Sequence, residues 1–173
     1  IINGQKPGNQ TLFIAPQYGQ CLNRFREITT HYEFRPLILS APKQPYPMIF
    51  WKTGAITFFR SWDNPDNIRS DWMHEIIFDE IQHHSVKEHE FYQVLWPMLT
   101  TRRGNLIISG QFRGQNWYYD KFFLPGQDPQ RTNFKSWSHP SWTGIYFANP
   151  QGAAELEIMK LQISPQEWDQ EIA

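Results

Sequence analysis

The sequence predicts an α/β fold, a mostly parallel β-sheet with helices on both faces. Short apolar runs of strand length alternate with segments whose apolar residues recur at spacings of three and four. Two of the runs have continuously apolar centres, at residues 76–78 and 106–108, as strands covered on both faces do. Polar side chains come directly after each of the two runs. Because parallel strands present their carboxyl ends at one edge of a sheet, this edge is the expected position of a binding site.

In the first part of the chain, residues 11–15 predict a strand and residues 18–32 predict a helix. The segment 36–47 holds four prolines, which confine any strand there to a sheet edge, because proline cannot donate to a ladder. Residues 49–51 and 55–59 flank a turn at Gly54 and predict a β-hairpin inserted into the parallel plan.

The remaining elements follow from the same patterns. Residues 75–78 predict a buried strand, 88–99 a helix and 105–109 a second buried strand. Further along, the sequence predicts a short aromatic helix over 115–123 stopped by Pro125-Gly126, a strand over 142–148, a helix over 153–163 opened by Asn149-Pro150, and a last helix after Ser164.

Composition sets broad limits on the class of protein. The 173 residues fit a single domain, and the net charge of -1 gives no global field that would attract nucleic acid. A local basic patch remains possible at Arg102, Arg103 or Arg113, although a solvated face is the simpler interpretation. The single cysteine, Cys21, leaves no internal disulfide to form and fits a reducing compartment. No apolar run reaches 18 residues, so we expect no membrane span.

The candidate site consists of polar residues after the two buried strands. Asp79 and Glu80 follow the first, and Ser109, Gly110 and Gln111 follow the second. In nucleotide hydrolases an Asp at such a position holds Mg²⁺, a neighbouring carboxylate orients the attacking water, and a polar triplet on the next strand senses the γ-phosphate. The simpler alternatives are a strand end capped by two carboxylates and an ordinary strand-to-loop turn.

Several segments, taken in order, resemble the large terminase subunit of tailed bacteriophages, the ATPase that drives DNA into procapsids. They are residues 13–20 (FIAPQYGQ), 61–70 (SWDNPDNIRS), 76–80 (IIFDE), 107–111 (IISGQ) and 114–119 (GQNWYY). The resemblance implies a P-loop NTPase-like fold of the additional-strand type. It also implies the cofactors ATP and Mg²⁺.

The resemblance also implies roles for individual residues. Asp79 matches the Mg²⁺-side carboxylate, Glu80 the catalytic carboxylate, and Ser109, Gly110 and Gln111 the coupling motif that contacts the nucleotide site. Arg69, eleven residues before Glu80, matches an arginine proposed to act in trans on a neighbouring subunit's nucleotide. The alternative for Arg69 is a structural salt bridge to Asp66 or Asp71.

The implied partners are double-stranded DNA, the portal protein and the small terminase subunit. The implied assembly is a homo-oligomeric ring on the procapsid in the host cytoplasm, with no membrane association.

The chain departs from the family pattern in two ways. The Gly-Lys-[Ser/Thr] of a phosphate-binding loop is missing, since residues 4–8 read GQKPG, and Ser70 stands where the family often has glycine. We therefore expect residues 1–173 to be a partial ATPase domain. The phosphate loop would precede Ile1 and the nuclease domain would follow Ala173, and residues 1–173 alone should show little or no ATP hydrolysis.

Two other functions remain open from the sequence. One is another P-loop nucleic-acid translocase or helicase, and the other is a non-catalytic α/β binding module. For the histidines near residues 74–89 we expect solvated positions rather than a metal site, and for Trp117 and Tyr118 we expect core positions.

Overall fold

A computed structural model of the chain describes residues 6–69, 72–111, 116–139, 143–144, 147, 149–165 and 168. The chain divides into two compact units, Ile1–Gly110 and Gln111–Ala173. No described helix is long and apolar enough to cross a bilayer.

The first unit is built on a six-stranded mixed sheet. The strands are β1 (Gln10–Ala15), β2 (Ile38–Ser40), β3 (Met48–Trp51), β4 (Ile56–Ser61), β5 (Glu75–Phe78) and β6 (Asn105–Ile108). Their spatial order is β2-β3-β4-β1-β5-β6. Strands β4, β1, β5 and β6 are parallel, whereas β3 pairs in antiparallel fashion with both β2 and β4. The predicted mostly parallel sheet, the hairpin of β3 and β4, and the edge strand among the prolines are therefore confirmed.

Strand register aligns the carboxyl ends of β1, β5 and β6. Ile14 of β1 pairs with Phe78 of β5, and Phe78 pairs with Ile108 of β6. The residues that follow these strands consequently emerge side by side at one edge of the sheet.

Helix α1 (Tyr18–Thr30) covers one face of the sheet. Its buried side chains include Phe25, whose ring meets Phe59 of β4 edge-on at a centroid distance of 5.5 Å, and Phe59 lies 5.6 Å from Phe13 of β1. Cys21 and Ile28 of α1 are buried in the same cluster. The helix exists because its apolar residues recur at intervals of three and four and so share this face.

Helix α2 (Glu88–Thr100) covers the opposite face. Phe91 of α2 lies 5.8 Å from Phe78 of β5, and Phe78 is on the same face as Ile14, its register partner. Because Ile14 directly follows Phe13 in a strand, the two side chains point to opposite faces. The prediction of helices on both faces is confirmed.

Strand β6 differs from expectation. We predicted a buried strand, yet β6 forms an edge of the sheet, and the Ile107 side chain is 46% exposed. Its sequence is as apolar as that of β5, but among the described residues β6 pairs with a neighbour on one side only. Burial of a strand depends on its neighbours as well as on its own residues.

The second unit contains a π-helical turn (Tyr119–Phe123), the short helix α3 (Leu124–Gln127) and helix α4 (Pro150–Gln162). The predicted stop at Pro125-Gly126 is wrong, because the helical path continues to Gln127. Pro125 lies in the first turn of α3, directly after the π-helical turn, where the main-chain bonds change from the i→i+5 to the i→i+4 pattern.

Two other predictions for this unit have different outcomes. Helix α4 is confirmed, and its N-cap is Asn149, whose side chain accepts from the Gly152 amide at 2.9 Å. The predicted strand over 142–148 and the last helix lie largely outside the described residues. Tyr118 is buried as expected, whereas Trp117 is half-buried.

At Gly104 the fold depends on the absence of a side chain. A Cβ there would lie 2.5 Å from the Met73 carbonyl oxygen and 2.8 Å from Leu99 Cδ2. We expect Gly104→Ala in the intact protein to lower the free energy of unfolding by about 2 kcal/mol, because main chain cannot move aside as a flexible side chain can. Urea unfolding measures this change.

The matched control is Gly19→Ala. A Cβ at Gly19 meets nothing within 4 Å, and Gly19 lies in the first turn of α1. Stability should stay the same or rise by up to about 1 kcal/mol. Equal losses in the two variants would contradict the crowding that the structure shows at Gly104.

Candidate functional site

The two carboxylates lie in a tight turn after β5. The Asp79 amide donates to the Ile14 carbonyl at 2.8 Å and so extends the parallel ladder by one residue. Glu80 then has a φ of 54°, in the left-handed region that non-glycine residues rarely occupy. The next amide, that of Ile81, donates to the Ser109 carbonyl at 3.2 Å. Main-chain bonds thus fix the turn, and Glu80 projects from it as an exposed side chain. Such backbone outliers occur preferentially at functional sites.

Asp79 and Ser109 are joined directly. The Ser109 hydroxyl donates to Asp79 Oδ1 at 2.6 Å, and the Ser109 amide donates to the Phe78 carbonyl at 2.9 Å. The predicted meeting of the two strand ends therefore occurs at hydrogen-bond distance.

Gly110 lies against the Glu80 turn. A Cβ at this position would be 2.5 Å from Gln82 Oε1 and 3.0 Å from Ile81 Cγ2. Gln111 begins the second unit, where its main-chain carbonyl accepts a hydrogen bond from the Tyr118 hydroxyl. Because Gly110 has no side chain, the end of β6 can approach the turn after β5 closely.

Helix α1 brings two further side chains to the carboxylates. Gln20 Nε2 donates to Glu80 Oε2 at 2.5 Å, and Arg24 Nη2 lies 3.6 Å from Asp79 Oδ2. Four residues separate Gln20 from Arg24, so both lie on one face of the helix. The sequence analysis gave neither residue a role. Their spacing on a helix directly after β1 is a signal, but it becomes informative only once β1 and β5 are known to be neighbours.

Polar contacts also fix the start of α1. The Gln17 amide donates to Gln20 Oε1 at 3.0 Å, and the Tyr18 amide donates to Asp63 Oδ2 at 3.1 Å. Gln20 therefore uses its oxygen to cap its own helix and its nitrogen to hold Glu80.

Arg69 directly follows the 3-10 turn Pro65–Ile68. Its Nε lies 3.3 Å from Asp66 Oδ1, and the two side chains are 55% and 82% exposed. Pairs this exposed contribute little to stability. No described ion pair joins Arg69 to Asp79 or Glu80, and Asp71, the other predicted partner, lies outside the described residues.

The oxygen atoms at the site suit a hard cation. Among the described residues no group of three or more His, Cys, Asp or Glu side chains could hold a metal ion by itself. Mg²⁺ is typically bound by one or two carboxylates together with waters and substrate phosphates, so the Asp79 carboxylate beside the Ser109 hydroxyl fits its requirements. The predicted roles of Asp79, Glu80, Arg69, Ser109, Gly110 and Gln111 remain predictions.

Other candidate groups are engaged elsewhere. His83 Nδ1 is 2.8 Å from Ser85 Oγ, and His74 Nδ1 accepts from the Gln10 amide at 3.1 Å. Burial raises the pKa of the Cys21 thiol to about 12, so this cysteine is a core residue and not a nucleophile.

The basic candidates outside the site are only partly described. The Arg102 guanidinium lies 4.4 Å from the centroid of the Trp72 ring, and Arg103 has a φ of 50°. Arg113 lies outside the described residues. The Arg102–Trp72 contact is a cation–π pair within the first unit.

Comparison with known structures identifies the fold. The chain aligns with the large terminase ATPase domain of Thermus phage P74-26 with a TM-score of 0.68 at 22% identity, covering 96% of this chain and 76% of that one. An arginine-to-alanine mutant of the same domain aligns with a TM-score of 0.73 at 24% identity and the same coverage. The fold is that of a large-terminase ATPase domain.

Comparison of sequences also finds a phage large terminase subunit. The large terminase subunit of Thermus phage G20c is 29% identical over 139 residues, which cover 70% of this chain and 28% of that protein. No family model matches the chain. The resemblance to phage large terminase subunits drawn from the sequence is confirmed, and the chain spans little more than a quarter of that relative's length.

Proposed function

We propose that this chain is part of the ATP-hydrolysing motor domain of a viral DNA-packaging terminase, which couples hydrolysis to the translocation of double-stranded DNA. The observation that carries the proposal is the 2.6 Å hydrogen bond between Ser109 and Asp79 at the ends of neighbouring parallel strands. Beside this bond, Glu80 is presented on a strained turn.

Asp79, Glu80 and Ser109 have separate roles in the proposed reaction. Asp79 would hold Mg²⁺ through its carboxylate and water ligands, and Glu80 would orient the attacking water and accept its proton. When bound, the metal–ATP complex supplies the phosphoryl group and charge neutralisation. Ser109 would transmit changes at the nucleotide site to β6 and to the residues that follow, because its hydroxyl is hydrogen-bonded to the metal-side carboxylate.

The open edge of β6 suits the strand that a phosphate-binding loop requires. An upstream strand added in parallel beside β6 would cover the half-exposed Ile107 and bring its own carboxyl end next to Ser109. The phosphate loop would then begin beside the Asp79–Ser109 pair. In this proposal the loop precedes Ile1 and a nuclease domain follows Ala173.

The partners proposed for the full-length protein follow from the same function. They are double-stranded DNA, the portal protein, the small terminase subunit and further copies of the chain in a ring on the procapsid, in the host cytoplasm. A ring is required if Arg69 acts on the nucleotide of a neighbouring copy, since one subunit alone would not complete such a site.

Ser109→Ala in the full-length parent protein tests the coupling step. We expect ATP binding to be retained and DNA packaged per ATP hydrolysed to fall by about tenfold, the effect of losing one hydrogen bond to a charged group. Parallel assays of hydrolysis and of DNA uptake into procapsids measure this ratio. Ser109→Thr, which keeps the hydroxyl, should remain within about twofold of wild type.

The same assays separate the alternative functions. Unwinding of duplex DNA without uptake into procapsids would favour a helicase. Failure of the intact parent protein to bind or hydrolyse ATP would favour a non-catalytic binding module. An unchanged packaging ratio in Ser109→Ala would remove Ser109 from the coupling step.

A further inference from the structure

Both oxygens of the Asp79 carboxylate have partners. Ser109 donates to Oδ1 at 2.6 Å, and the Arg24 guanidinium lies 3.6 Å from Oδ2. Arg24 has a second and closer partner, because its Nη1 is 2.6 Å from Glu27 Oε2. The guanidinium therefore bridges a carboxylate of the candidate site and a carboxylate one helical turn further along α1.

We propose that Arg24 is a positioning residue that competes with the metal ion for Asp79, and that Glu27 draws it away when the metal binds. This inference rests on the proposed function, since it takes Asp79 as the metal-side carboxylate. A guanidinium near Oδ2 neutralises the charge that attracts Mg²⁺ and also repels the ion. Mg²⁺ binding is therefore favoured when Arg24 moves away from Asp79.

The contact with Glu27 makes that movement small. One nitrogen of Arg24 already lies at hydrogen-bond distance from Glu27, so leaving Asp79 requires a shift of the planar group and not a new rotamer for the whole side chain. Glu27 retains a bonded partner in both positions of Arg24. Glu27 thus lowers the cost of releasing Asp79.

Exposure limits the size of the effect. The side chains of Arg24, Glu27 and Asp79 are 46%, 67% and 29% exposed, so water screens their interactions. Exposed pairs of this kind have coupling energies of about 0.4–1 kcal/mol, which corresponds to about a two- to fivefold change in binding.

The test measures Mn²⁺ binding to the full-length parent protein in the presence of a non-hydrolysable ATP analogue, with free Mn²⁺ followed by electron paramagnetic resonance. We expect Arg24→Gln to tighten Mn²⁺ binding about two- to fivefold, because the competing charge is gone. Glu27→Gln should weaken it by about the same factor, since Arg24 then stays on Asp79. Arg24→Lys keeps the charge and should lie between wild type and Arg24→Gln.

Combining Glu27→Gln with Arg24→Gln distinguishes action through Arg24 from a general effect of charge. Glu27→Gln should have no further effect on Mn²⁺ binding once Arg24 is replaced, whereas a general charge effect would persist in the double variant and would overturn the inference. Equal or weaker Mn²⁺ binding in Arg24→Gln, or tighter binding in Glu27→Gln, would overturn the inference. Binding of the ATP analogue in the presence of a chelator should be unchanged in Arg24→Gln. A loss there would mean that Arg24 contacts phosphate instead, and would overturn the inference as well.

Asp79→Asn separates this inference from the proposed function. If Asp79→Asn leaves Mn²⁺ binding unchanged, Asp79 is not a metal ligand and the metal site of the proposed function is wrong. If Asp79→Asn weakens Mn²⁺ binding strongly while Arg24→Gln behaves as wild type, the metal site stands and only the role of Arg24 is wrong.

Discussion

Glu80→Gln in the full-length parent protein is expected to reduce ATP turnover by about 10²–10⁴-fold while leaving nucleotide binding close to wild type. The amide has the shape of the carboxylate but cannot accept the proton of the attacking water. The side chain is exposed on a turn that main-chain bonds define, so its replacement should not disturb the fold. Steady-state hydrolysis and binding of a fluorescent nucleotide measure the two quantities separately.

The matched control for this variant is Glu33→Gln. Glu33 is also an exposed glutamate, but its side chain accepts a hydrogen bond from the neighbouring Tyr32 hydroxyl at 3.2 Å and has no place in the candidate site. At saturating Mg²⁺ its turnover should stay within about twofold of wild type, since it has no role on the attacking water. Wild-type turnover in Glu80→Gln, or equal losses in both variants, would remove Glu80 from the mechanism.

The contact between Gln20 and Glu80 adds to the interpretation of Glu80. In the structure Gln20 holds the Glu80 carboxylate through its amide nitrogen. A carboxylate accepts several hydrogen bonds, so the Gln20 donor fixes one oxygen of Glu80 and leaves acceptor capacity for the attacking water. Glu80 thus has a resting position set by α1, in addition to the backbone position set by β5.

Periodicity predicted the elements that touch the site. The central runs of β1, β5 and β6 could be predicted because each is apolar and bounded by polar or turn residues. The meeting of Asp79 with Ser109 also followed, since both come directly after strands that a parallel sheet aligns. These inferences needed only local pattern and one rule of topology.

Features that depend on which strands are neighbours in the sheet could not be predicted from the sequence. Gln20 and Arg24 reach the carboxylates only because β1 pairs with β5, and the order of strands in a sheet is not written in any one segment. The exposure of Ile107 was missed for the same reason. At Pro125 the error was local, since the sequence does not distinguish a proline in the first turn of a helix from a proline that ends a helix.

Arg69→Ala is expected to lower ATP turnover of the assembled ring by about 10³-fold or more, if Arg69 stabilises the transferring phosphoryl of a neighbouring subunit. Nucleotide binding to the monomer should survive, because the described contact of Arg69 is with Asp66 and not with the candidate site. Turnover of the ring and nucleotide binding to the monomer are the two measurements.

The control is Asp66→Asn, which removes the partner of Arg69 and leaves the arginine in place. A trans role predicts nearly wild-type turnover for Asp66→Asn, whereas a structural salt bridge predicts the same small loss of melting temperature in both variants. The exposure of the pair, 55% and 82%, favours the first outcome, because screened pairs hold little structure together.

Mixing subunits provides the decisive measurement. Rings assembled from Arg69→Ala and Glu80→Gln subunits contain some interfaces at which an intact Glu80 meets an intact Arg69 of the neighbouring copy. A trans arginine therefore predicts partial recovery of ATP turnover in the mixture, although each variant alone is nearly inactive. If mixing restores nothing and Arg69→Ala alone lowers the melting temperature, Arg69 acts within its own subunit and its pair with Asp66 is its role.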